Sequence, residues 1–244
     1  MNQELVTEDF VAPTARVSRT AVIHPGVRIG AGVIIHDYVV IYSNTIIGDR
    51  VEIYDHCVLG KPPTSPGNVA RRFKKRYSPL VVGAETILCP GVVLYAGTTV
   101  GEKCLLGDFC SIREECEIGD ECLLSRNVTI NYHTRVGSRT KVMDSTHLTG
   151  NMIVEEDVFI STLVSTTNDN LMGRAGYQEK RILGPHVCRG ATVGAGASLL
   201  PGVEIGENAI VGAGSVVTRS IPPRKVALGS PARVVRDVPP EQWK

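Results

Sequence analysis

An aliphatic residue recurs every six positions along nearly the whole chain, and few folds tolerate such a period. Val11, Val17, Ile23, Ile29, Ile35, Ile41, Ile47, Ile53 and Leu59 form the first run. A second passes from Val82 through Leu88, Leu94 and Val100 to Val154 and Ile160, and a third from Val187 to Val217. A helix of 3.6 residues per turn would scatter these positions around its axis. With the aliphatic residue as position one, Gly often follows at two, as at Gly30, Gly101 and Gly194, and position five is small or β-branched. Pro-Gly falls at positions three and four in IHPGVR, LCPGVV and LLPGVE, which suits a tight corner. Short strands joined by corners make a solenoid, in which each coil buries its aliphatic row against the next. The expected fold is all-β: a left-handed parallel β-helix of hexapeptide repeats, one domain over residues 1–244.

Two segments break the phase. Residues from about 60 to 81 carry KPPTSPGNVARRFKKRYSP, and residues from about 167 to 186 carry TNDNLMGRAGYQEKRILGPH. In a solenoid, insertions become loops on one face, often the binding face. From about 219 to 244 the repeat is lost, and that segment is expected to fold back as an extended C-terminal cap. The 26 basic and 25 acidic residues leave a formal charge of +1, without the concentrated basic footprint of a nucleic-acid binder. No run approaches the roughly 18 apolar residues of a membrane span. The acidic start MNQELVTEDFVAP lacks the apolar core of a secretory signal, so the expected location is cytoplasmic. Cys57, Cys104, Cys110, Cys116 and Cys122 all occupy position five, where a small buried filler is wanted; no C-x-x-C pair argues for a metal, and none is expected.

The closing stretch IGENAIVGAGSVVTRSIPPRKVALGSPARVVRDV resembles the end of the hexapeptide-repeat acyltransferases, and the likeness extends from about residue 11 to 238. Within that superfamily, VEEDVFISTLVSTTNDNLMGR is similar to bacterial N-acetyltransferases acting on nucleotide-linked amino sugars, which share a T-N-D segment opening a loop. The resemblance implies three hexapeptides per triangular coil, with residues 18 apart stacked. It also implies a homotrimer, acetyl-CoA lying between neighbouring β-helices, and direct transfer without a covalent enzyme intermediate.

Direct transfer to an amine needs a proton acceptor, an oxyanion donor and two substrates held in attack geometry. Stacking by 18 selects one polar column: His133, Asn151 and Asp169, each at position four of its repeat. They are the expected catalytic residues, as base, positioner and sugar ligand. His147, at a position six near a corner, is the rival base; the departing thiolate or a water is another. Asn168, Asn170 and Arg174 of the second loop, with Lys61 and Arg76 of the first, are expected on the nucleotide-sugar. Five cations in residues 71–76 are placed to reach its diphosphate. For acetyl-CoA, the strip around Ala195 and Ala213 lacks bulky side chains, and Arg219, Arg224 and Lys225 follow as partners for its phosphates.

The expected function is therefore acetyl-CoA-dependent N-acetylation of a dTDP- or UDP-linked amino-deoxysugar. O-acetylation of a sugar or serine-like acceptor is the alternative on the same fold. A γ-type carbonic anhydrase would need three histidine ligands, two of them as H-x-x-x-x-H, and the chain has no such pair. A non-catalytic scaffold would leave the two loops and the polar column without a purpose.

Overall fold

The computed structural model describes residues 10–69 and 71–244. The apolar-poor start lies mostly in residues 1–9, outside the described residues. Short strands, most of two residues, stack into three sheets of ten, twelve and ten strands that form the faces of a triangular prism. Successive strands pass to the next face, so each strand pairs in parallel with the one three elements later. Phe10–Val11 pairs with Arg28–Ile29 at a spacing of 18 residues, the next strand up on the same face. The molecule is a left-handed parallel β-helix, as the repeat requires.

The aliphatic position-one residues point inward: Ile29, Ile53, Leu88, Leu106, Ile130 and Ile160 are all fully buried. Each such side chain removed from water contributes about 1.5–3 kcal/mol. Position four turns most corners in the left-handed backbone region, with φ of 60° at His56, 59° at Glu115, 55° at His133 and 60° at Asn151. Gly, Asn and His adopt that conformation most readily, so the Pro-Gly pairs belong at these corners. Gly at position two has a separate reason. A Cβ on Gly101 would stand 2.7 Å from the backbone of Asp120 on the coil above.

Position five carries Cys or Thr for one shared purpose. Thr98 donates its hydroxyl to the Arg113 carbonyl at 2.7 Å and Thr134 to the Thr149 carbonyl at 2.8 Å. Cys116 and Cys122 donate S–H to Asn131 and Gly137 carbonyls at 3.1 and 3.2 Å. These two buried cysteines thus pack as fillers and bond the next coil as threonine does.

Both insertions leave the same corner. The first lies between the third-face strand Val58–Lys61 and the first-face strand Val81–Val82, the second between Ser165–Thr166 and His186–Val187. The parallel ladder closes across each: Ile46 pairs with Val81, and Ile153 with His186. At the C-terminus, Lys225–Gly229 extends the second face in parallel, and Ala232–Asp237 folds back on it antiparallel, a hairpin that ends the stack. No helix among the described residues is long and apolar enough to cross a membrane.

Candidate functional site

Between the two loops, the corner joining the third face to the first carries Glu114 and Glu115, then Tyr132 and His133, then Gly150 and Asn151, one coil above another. The first loop folds back over this corner. Arg71 pairs with Glu114, whose carboxylate is fully buried, and its guanidinium lies 3.8 Å from the centre of the Tyr132 ring. Arg113 completes the clamp, its Nε donating to the other Glu114 oxygen at 2.9 Å. Burial pushes the Arg71 guanidinium below its ordinary pKa. Lys74 pairs with Glu115, and the Lys74 N–H donates to the Tyr77 hydroxyl at 3.0 Å.

The second loop reaches the same place from above. Tyr177 and Glu179 join Arg71, Arg72, Lys74, Tyr77, Glu115 and His133 around a cavity of about 360 Å³. Burial, with Tyr132 beside it, pushes the Tyr177 phenol up to about 12. His133 forms the cavity's floor, with Nε2 3.5 Å from Glu115 Oε2. Burial pushes the imidazole below its ordinary pKa; Arg71 and Lys74 act in the same sense, while Glu115 and Glu179 oppose them. The net direction favours the uncharged imidazole, and the Glu115 carboxylate lies beside one ring nitrogen. Glu115 favours the proton on Nε2, which leaves the Nδ1 lone pair to accept one.

An open groove continues past His133, Glu115 and Lys74 along Ser78 and Pro79. It leads to a second cavity of about 490 Å³ under the root of the first loop, lined by Arg28, Tyr42, Ser43, Arg76 and Tyr77 among others. One corner thus carries a run of hollows with cations from Arg28 to Arg72 along it.

The residues expected from the column of 18 separate. His133 and Asn151 do share the corner, but the Asn151 amide donates to the Ile182 carbonyl at 3.0 Å and ties down the second loop. Asn168 does the same at the loop's root, donating to the Gly150 carbonyl at 3.0 Å. Asp169 accepts from the N–H groups of Leu171 and Gly173 at 2.8 and 2.7 Å, and these bonds, Gly173's first, hold its carboxyl below the usual range. Its oxygens serve its own turn, because the loop departs from the coil there. Asn170 and Arg174 are exposed on the outer loop. Lys61 lies over the Tyr95 ring, 5.3 Å from its centre, while Arg76 lines the larger cavity. His147 faces outward on the third face, its Nδ1 2.8 Å from the Thr129 hydroxyl; burial lowers its pKa, and it does not line the His133 cavity.

Ala195 and Ala213 stack at the corner between second and third faces, where the Gly214 N–H donates to the Ala195 carbonyl at 2.8 Å. Cβ atoms on Gly196 and Gly214 would meet nothing within 4 Å, so the strip is open to a ligand's backbone-level approach. The three cations expected beside it are elsewhere. Arg219 is exposed after the last third-face strand, Arg224 stacks on Trp243 at 4.4 Å, and Lys225 pairs with Asp237 on the terminal hairpin. The shortened final coil carries them around the prism, and one chain does not gather them on the Ala195 strip.

Glu115, Tyr132 and Tyr177 were not anticipated. Glu115 stands 18 residues before His133, so extending the column one coil downward would have found it. No comparable signal marks Tyr177.

Against known proteins, the bacterial transferase hexapeptide family, six repeats, matches residues 26–61 and 184–219. The serine acetyltransferase of Buchnera aphidicola subsp. Schizaphis graminum is 34% identical over 92 residues, covering 38% of this chain and 35% of the relative. The galactoside O-acetyltransferase of Lactococcus lactis subsp. lactis is 34% identical over 106 residues, 43% of this chain and 50% of the relative. The chain matches about a third to a half of the length of these curated relatives. Among solved structures, the Arabidopsis UDP-N-acetylglucosamine acyltransferase superposes with a TM-score of 0.69 at 17% identity, over 94% of this chain and 74% of that one. At that identity the likeness shows the fold alone. The repeat and the fold define the class, a hexapeptide-repeat left-handed β-helix, and the named relatives that its repeats match are acetyltransferases.

Proposed function

We propose that this protein is an acyl-CoA-dependent acyltransferase that passes an acetyl group to the amine of a nucleotide-linked deoxysugar, with His133 as general base. The observation that carries this reading is the position of His133. It is a part-buried imidazole with Glu115 3.5 Å from Nε2, lining a cavity to which both insertions contribute residues, and burial shifts its pKa down. Relatives named as acetyltransferases support acyl transfer as the reaction class. The chain of hollows lined by Arg28, Arg72, Lys74 and Arg76 supports an acceptor carrying phosphates, since a diphosphate is well matched by guanidinium and ammonium groups.

In this reaction the acceptor nitrogen attacks the thioester carbonyl while His133 takes its proton. The tetrahedral intermediate then expels the thiolate, and the imidazolium returns the proton to sulfur. The Gly-Ala-Gly strip at Ala195 and Ala213 is the proposed bed for the pantetheine arm of the donor. On one chain that strip and His133 occupy different corners, with the third face between them. A homotrimer, in which one copy's strip meets its neighbour's His133 corner, brings the halves together; light scattering on the purified protein tests this.

A second reading, O-acetylation of a sugar or serine-like hydroxyl, is favoured by the names of the serine and galactoside acetyltransferase relatives. The deciding experiment measures CoA release from acetyl-CoA against dTDP- and UDP-amino sugars, free galactosides and serine. The N-acetyl reading requires turnover with an amino-sugar nucleotide at a kcat/KM at least about tenfold above any hydroxyl acceptor. Turnover confined to galactosides or serine would replace it with the second reading, and no CoA release with any acceptor would defeat both.

A further inference from the structure

Three potential metal ligands meet on the first face, on the opposite edge from the corner that carries His133. The strand Ile153–Val154 pairs with His186–Val187, which in turn pairs with Glu204–Ile205. Val154 lies beside Val187, so Glu155 and Cys188 leave their strands side by side. Alternation along the strand points His186 and Cys188 outward and Val187 into the core. His186 Nε2 is 2.8 Å from Glu155 Oε1 and 3.9 Å from Cys188 Sγ, and all three donor atoms lie within 4.8 Å of one another. The residues are half-buried.

We propose that Glu155, His186 and Cys188 bind a divalent cation of the zinc class. One imidazole nitrogen, one sulfur and one carboxylate oxygen form a borderline-soft set, whereas calcium and magnesium prefer oxygen throughout. Tetrahedral zinc at its usual bond lengths places N and O about 3.3 Å apart and S and N about 3.6 Å apart. The observed 2.8 and 3.9 Å lie on either side of those values, and side-chain shifts of about half an ångström reach them. The surroundings are arranged for the same end. The Arg189 N–H donates to the second Glu155 oxygen at 2.8 Å, leaving Oε1 to the cation. Glu204 Oε2 faces the far ring nitrogen of His186 at 3.8 Å, where a carboxylate orients a ligating imidazole. Three protein ligands leave a fourth position for water or a small donor. With one histidine, this is not the three-histidine centre of a γ-type carbonic anhydrase. Without a cation, the same residues would make only a half-exposed His–Glu pair of little consequence.

The test uses the untagged full chain, stripped with a chelator and titrated with zinc against a chromophoric competitor. Cobalt(II) serves as the optical probe. The expected result is one zinc per chain bound more tightly than micromolar, and a near-ultraviolet sulfur-to-cobalt band. Cys188→Ser abolishes that band and weakens zinc about 100-fold, and Glu204→Gln weakens it about tenfold. His186→Asn provides a second ligand variant should Cys188→Ser fail to fold, with circular dichroism verifying the sheet in each. Wild-type protein that takes up no stoichiometric zinc at micromolar concentration overturns the proposal. So does a ligand variant that keeps wild-type affinity and the full cobalt band, which would place the ion at another thiol such as Cys89.

Discussion

Arg71 holds the first loop over the His133 corner, and removing its charge should release that loop before it unfolds the β-helix. The perturbation is Arg71→Met, which keeps the apolar stem and deletes the guanidinium. Glu114 is then a fully buried carboxylate with Arg113 alone beside it. Deleting one partner of a buried pair costs about 3–5 kcal/mol. Arg113 retains its 2.9 Å bond and offsets part of that loss, while the lost contact over Tyr132 adds about 0.5–2 kcal/mol. Water reaches Glu114 as soon as the loop lifts, so the deficit falls on loop docking at about 2–3 kcal/mol, or roughly 30- to 150-fold in the open population. Trypsin reads this directly, because Arg72, Lys74, Lys75 and Arg76 remain as cleavage sites in the variant. When reclosing outpaces cleavage, nicking follows the open population, so initial cleavage within residues 72–76 should accelerate by the same factor. Adding Glu114→Gln removes the buried charge and should recover at least half of the lost protection, a coupling that distant sites would not show. Cleavage within about threefold of wild type in the single variant, or no recovery in the double, would refute the latch.

His133→Asn keeps a residue that tolerates the corner's positive φ and should lower kcat about 10²- to 10⁴-fold without moving the melting temperature; near-wild-type turnover would shift the base to His147 or to no side chain. Because burial depresses the His133 pKa, the proton acceptor is lost only as pH falls through a value below about 6.5, which places the acid limb of kcat/KM there. Lys74→Met removes a depressing cation and should move that limb to higher pH, and Glu115→Gln removes an opposing anion and should move it lower; shifts of the reverse sign in the pH profiles would exclude His133 as the titrating group. Asn151→Gly preserves the backbone but loses the amide bond to Ile182, so the acceptor KM should rise several-fold more than kcat falls; a 10²-fold drop in kcat with the second loop still protected from proteolysis would instead put Asn151 on the reacting groups. Gly101→Ala forces a methyl to within 2.7 Å of the backbone above and should lower stability to urea by about 1–3 kcal/mol, where an unchanged midpoint would mean the coils separate freely.

The coil path, the buried row and the two insertions are legible in the repeat itself. It also contained two facts that counting could have extracted. The hexapeptides from Val82 to Thr166 make a whole number of coils, so both loops must leave one corner. Glu115 precedes His133 by one coil, so the anion beside the imidazole was written in the same column. The cation cluster expected for the donor's phosphates fared differently. Arg224 and Lys225 follow the repeat's end, where stacking by 18 no longer applies, and the terminal hairpin carries them away from Ala195.

By itself, the sequence determined the prism, because a strict period of six leaves every aliphatic side chain one consistent direction and every corner one consistent turn. Only the tertiary structure decided which loop residues face the chemistry. Residues 62–80 and 167–185 have no period, so contacts outside the coil register place the loops: the buried Glu114 captures Arg71, Asn151 captures the Ile182 carbonyl, and Asp169 caps its own turn through local bonds to Leu171 and Gly173. Those contacts, rather than the register of the coil, bring Arg71, Lys74 and Tyr177 around His133 and Glu115.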